Sequence, residues 1–173
     1  MKQEEKIIAI HEAAHAAICL KEKVSFGKVT IFSNEDYFGK VALSKDFITN
    51  LISNPKVNVE KKFNLFRKYL MCLVAGKVAE QKVHATTSYA TKDDEVAFDL
   101  IGEFFPNLKT GLAFHDYIVL EVESCFSFFS GEEENEIEDT PLWNFVLKLS
   151  EELIIHKEVE HQACKKLYKE FSY

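Results

Sequence analysis

The chain has 173 residues, 47% of them apolar and 28% charged, a balance that fits one folded domain and excludes wholesale disorder. Acidic residues outnumber basic ones 28 to 21, and the net charge of −7 excludes general binding to a phosphate backbone. The most apolar stretch, 111–130, carries Asp116, Glu121 and Glu123, so no segment reads as a membrane span. The first residues lack the basic flank and apolar run of a signal peptide. Cys19, Cys72, Cys125 and Cys164 lie far apart with no C-x-x-C pair, which favours reduced thiols over a disulfide frame or a cysteine zinc cage. The expectation is a cytoplasmic protein.

In chain order, 6–20 predicts a helix, rich in Ala and Ile and free of Gly and Pro. Gly27 breaks that pattern. The short runs 28–32 and 38–43, separated by the turn residues Ser33, Asn34, Glu35 and Asp36, predict a hairpin or strand pair. Residues 44–53 read as a helix ended by Asn54-Pro55, and 59–83 as a long helix interrupted only by Gly76. A Thr- and Ser-bearing loop follows at 85–88. Thr91 is the expected N-cap of a helix reaching 105, with Asp93, Asp94 and Glu95 in its first turn, where the helix dipole favours acids. Pro106-Asn107 stops it. The aromatic segment 111–129 suits helix or strand. Residues 131–139 form an acidic, solvated loop. Thr140-Pro141 starts a last helix running to about 171, a capping hydroxyl followed by proline at the first helical position. The fold class expected is α+β and mainly helical, about five helices with a small sheet. One domain covers 1–130, an acidic loop 131–139, and the C-terminal helix of 140–173 packs on the same domain.

The residues that carry chemistry are His11-Glu12-Ala13-Ala14-His15, an H-E-x-x-H pattern inside the first helix. Positions i and i+4 lie about 40° apart around the axis, so both imidazoles leave one face. Two neutral imidazoles there suit a borderline cation such as zinc. Glu12 cannot easily join the same tetrahedron, but it is in reach of a water at the metal, whose proton it can take and pass to a leaving amine. The flanks are apolar (Ile7, Ile8 and Ile10 before, Ala16, Ala17 and Ile18 after), and polar groups on a core-facing helix need something that satisfies them. A third ligand must come from elsewhere. Glu80, His84, Asp93, Asp94, Asp99, His115, His156 and His161 are all candidates, and spacing does not choose among them. His161 and Cys164, three apart on a polar helix, read as surface residues, and His84 beside the Thr-bearing loop could touch substrate.

These blocks resemble the peptidase domain of the FtsH-type ATP-dependent zinc metalloproteases, the AAA proteases. That family's H-E-A-G-H-A is similar to residues 11–16, and its K-V-T-I strand to Lys28-Val29-Thr30-Ile31. Its L-G-Y-T strand is similar to Phe38-Gly39-Lys40-Val41, and its G-G-R-x-A-E-E to 75–81. Its T-T-G-A-S-N-D-L-x-x-A-T block is similar to Thr86-Thr87-Ser88 followed by 90–97. The order is the same over residues 6 to 100. The resemblance implies a zinc metallopeptidase domain, with one zinc held by His11, His15 and Asp93. Asp94 is the alternative ligand, because Tyr89 shifts the local register. It makes Glu12 the general base and aligns Glu80 with a family glutamate, read here as orienting a histidine. A peptide or unfolded protein segment would be the substrate, paired with the sheet edge at Phe38, Gly39, Lys40 and Val41. The departures are Ala14 where the family has glycine, the Ser33–Asp36 turn, and no match beyond 105. No Walker-type phosphate loop occurs, so any ATPase would be a separate partner. The rival reading is a metal-stabilised binding or regulatory module derived from that domain, without turnover.

Overall fold

A computed structural model describes residues 3–34, 37–43, 47, 56–83, 91–105, 107–129 and 137–171. The expected helix over 44–53 apart from Phe47, the loop at 85–88, His84 and most of the acidic stretch lie outside the described residues. Helix α1 (Gln3–Lys21) leads into strands β1 (Phe26–Asn34) and β2 (Tyr37–Leu43), then α2 (Val59–Val83), α3 (Thr91–Phe104) and α4 (Leu108–Phe126). Strands β3 (Ser127–Phe129) and β4 (Ile137–Asp139), helix α5 (Pro141–His156), strand β5 (Glu158–Glu160) and helix α6 (His161–Phe171) complete the order. The described chain is thus mainly helical with a small antiparallel sheet, of order β2-β1-β5, and a separate β3-β4 pair. No described helix is long and apolar enough to cross a membrane.

Helix α1 is the axis of the molecule. Every residue from Ile8 to Cys19 is buried, because α2, α5 and the sheet cover it on all sides. A helix enclosed in this way needs no polar stripe, which is why its sequence is apolar all round. Ala9, Ala13, Ala14, Ala16 and Ala17 have no exposed surface and keep it thin enough for close neighbours. The motif residues of 11–15 therefore sit in the core.

Strand β1 is central. Val29 faces Val41 and Ile31 faces Gly39 on one side, while Lys28 faces Glu160 and Thr30 faces Glu158 on the other. β2 lies at the sheet's edge. The aromatic residues of α2, α3 and α4 meet in one cluster. Phe66 stacks on Phe104 at 4.0 Å between ring centroids and on Phe114 at 5.9 Å, with Phe63 and Phe105 around them. This cluster accounts for the segment that suited helix or strand: it is helical to Phe126, and only its last three residues form β3.

Two expectations are corrected. The C-terminal helix is not continuous to 171. Lys157 adopts a left-handed conformation (φ 65°), donates its N–H to Leu153 O, and ends α5. Its carbonyl accepts the Ile31 N–H at 2.8 Å, and residues 158–160 pair with β1 before α6 begins. The left-handed residue costs about 1–2 kcal/mol, offset by hydrogen bonds that cover the second edge of β1. The acidic stretch also has an ordered end: residues 137–139 pair with β3 as β4. By contrast, Thr140 caps α5 as its sequence suggests, accepting from Trp143 N with Pro141 next.

Candidate metal centre

His11 and His15 project from one face of α1, 6% and 9% exposed. Asp93 arrives from the first turn of α3. The two Nε2 atoms stand 2.8 Å apart, and each lies 3.2 Å from Asp93 Oδ2. Among the described residues these three form a group able to hold a metal ion.

What the outer ring nitrogens do decides the chemistry. His11 Nδ1 donates to Glu80 Oε1 at 2.6 Å, and His15 Nδ1 donates to the Cys72 carbonyl at 2.5 Å. A carbonyl can only accept, so His15 carries its proton on Nδ1; the wholly buried Glu80 carboxylate asks the same of His11. In neutral rings both Nε2 atoms then offer lone pairs to each other and to a carboxylate oxygen. Three acceptors without a proton between them repel, and a cation at their centre makes the same arrangement attractive. Without a metal, a proton takes that part. Burial opposes the charge on His11, but the hydrogen bonds with Asp93 and Glu80 and the charge of Glu12 outweigh it and push its pKa up to about 10. Burial likewise opposes ionisation of Asp93, yet His11 and His15 hold its carboxyl well below the usual carboxylate range. The residues present fit a divalent cation.

Glu12 lies beside this group without joining it. It is 6% exposed and takes no part in the hydrogen bonds of His11 with Glu80 or of His15 with Cys72. Burial pushes its pKa up, against the opposing charges of His15 and His11. Strand β2 passes directly over it at Gly39. Of the expected edge positions, Lys40 is exposed, Val41 is half-buried, and Phe38 is placed by its backbone in β2.

Asp94, the alternative ligand, turns away and pairs with Lys77 Nζ at 2.7 Å, tying α3 to α2 beside the site. Glu80 stands behind His11, and the other described candidates are not in the ligand group. His115 stacks on Phe98, His156 pairs with Glu152, His161 packs edge-on against Phe26, and Asp99 is exposed. Cys164 is buried rather than at the surface. Sequence reasoning missed three contributors: the Cys72 carbonyl, Lys77, and the thiol contact of Cys19 with Cys72 (Sγ to Sγ 3.2 Å) that binds α1 to α2 below His15. A backbone carbonyl leaves no mark in a sequence, although the lysine could have been found from its place next to Gly76.

Gly76 has a sharper role than helix packing. A Cβ there would fall 2.4 Å from His11 Cε1, 2.5 Å from Nε2 and 2.6 Å from Nδ1. Helix propensity alone predicts that Gly76→Ala stabilises the chain by about 1 kcal/mol. The imidazole is pinned by Glu80, so we expect the opposite, a loss of about 1–3 kcal/mol from overpacking, read by urea denaturation of the metal-free protein. A stabilised variant would show that the ring does not occupy this space.

No family model matches the chain, and no curated protein is detectably similar to it.

Proposed function

We propose that the chain is a zinc-dependent endopeptidase acting on peptides or unfolded protein segments, akin to the proteolytic domain of FtsH-type ATP-dependent proteases. The observation that carries the reading is the convergence of His11 Nε2, His15 Nε2 and Asp93 Oδ2, with the buried carboxylate of Glu12 alongside. Two imidazoles and one carboxylate suit zinc, and His11, His15 and Asp93 would hold it. Bound there, zinc supplies a Lewis acid for the peptide carbonyl and acidity for water. Glu12 takes the proton of the attacking water and delivers it to the amine that leaves. Its raised pKa suits a group that must both accept and return a proton. Glu80 and the Cys72 carbonyl keep both imidazoles in one tautomer and orientation. Strand β2, at the edge of the described sheet, offers backbone groups to an extended peptide beside Glu12. These residues hold no Walker-type phosphate loop, so unfolding of folded substrates would need an ATPase activity that they do not supply.

Among the described residues three ligands converge, the number a catalytic zinc takes from its protein. Glu80 reaches the far nitrogen of His11 through Oε1 and is not in the ligand group. The test is hydrolysis of casein by the zinc-loaded chain. Cleavage is expected, lost on chelation and restored by added zinc. A chain carrying one zinc that cleaves neither casein nor an unstructured peptide overturns the reading and leaves the regulatory module.

A further inference from the structure

We infer that Gly39 is a positioning residue for Glu12: the edge strand lies so close on the carboxylate that its backbone at residue 39 sets where that carboxylate sits. This rests on the reading of Glu12 as the base, although the contact itself does not. A Cβ at position 39 would fall 2.4 Å from Glu12 Cγ and Oε1 and 2.6 Å from Cδ. No glycine in the described chain has a positive φ, so the demand is for space and not for an unusual backbone. Gly27, on the neighbouring strand, shows the contrast: a Cβ there would meet only Ala42 O, at 3.9 Å.

The strand cannot easily retreat. Gly39 faces Ile31 in the β1–β2 register, and Ile31 is itself buried and donates its N–H to Lys157 O on its other side. Nor can the helix, because α1 is buried from Ile8 to Cys19. A methyl group added at 39 therefore has one soft neighbour, the Glu12 side chain. That side chain is 6% exposed and packed directly under the strand backbone at Gly39, so packing against the strand holds it beside the ligand cluster. Lying on an edge strand, position 39 also couples the base to the segment along which a peptide would pair.

The test uses two readouts. In the zinc-loaded protein, Gly39→Ala should lower kcat by about 10- to 100-fold, the effect of displacing a reacting group by about 1 Å, with KM and zinc stoichiometry unchanged. Gly27→Ala serves as the control and should leave all three as they are. Independently of activity, Gly39→Ala should lower the Tm of the wild-type chain, and that loss should vanish in a Glu12→Ala background. A Tm loss of equal size in both backgrounds, or no loss in either, overturns the inference. If the wild-type chain hydrolyses nothing, the peptidase reading fails, while the stability cycle still decides whether residue 39 positions Glu12.

Discussion

Replacing Asp93 with Asn should weaken zinc binding by about 100-fold or more and remove the thermal stabilisation that zinc gives, because the group of His11, His15 and Asp93 would lose its one anionic ligand. In the wild-type protein, zinc at 100 times its Kd should add about 2.7 kcal/mol to stability. For a chain of this length each kcal/mol moves Tm by about 2–4 °C, so a rise of about 5–10 °C is expected. Asp94→Asn is the matched control. Asp94 faces Lys77 at a partly exposed position, and such a pair contributes about 0–1 kcal/mol. Zinc affinity should stay within a few-fold and the zinc-dependent rise should persist. Competition with a chromophoric chelator gives the affinities, and thermal scans with and without zinc give the shifts. Loss of binding in the Asp94 variant, with binding kept in the Asp93 variant, would reverse the ligand assignment.

The same pair of residues shows where sequence reasoning stops. Adjacent helical positions point about 100° apart, so one of Asp93 and Asp94 can face His11 while the other cannot. An inserted Tyr89 was enough to leave the choice open. The structure separates them through Lys77, a partner on another helix. Local chemistry was readable where Thr140-Pro141 opens α5 and where the spacing of His11 and His15 puts both rings on one face. Long-range facts were not. Gly76 looked like a packing residue and proves to lie under the His11 ring, a contact 65 positions away along the chain. Lys157 gave no warning of a helix end, since neither Gly nor Pro marks it. It is the pairing of 158–160 with β1 that makes its left-handed backbone worthwhile. The aromatic segment 111–126 was ambiguous because Phe114 and its neighbours serve a cluster shared by three helices, and apolar residues around much of a helix blur its period.

Glu12→Gln should be the most selective lesion in the molecule. Glu12 stands outside the group of His11, His15 and Asp93, so the variant should bind one zinc per chain with unchanged affinity. Glutamine matches glutamate in shape and fits the same space under Gly39, so the fold has no reason to shift. It also removes a carboxyl whose ionised form burial disfavours, and Tm should hold or rise slightly. What it cannot do is accept a proton. Losing general-base catalysis costs about 10²- to 10⁴-fold, so kcat should fall by that factor with KM little changed. Glu12→Asp separates basicity from reach. It keeps a carboxylate but draws it back by one methylene from a position set by packing, and its activity should fall between wild type and Glu12→Gln. Full activity in Glu12→Gln, with zinc bound and chelation still abolishing turnover, would remove Glu12 from the reaction and require a different base beside the same metal.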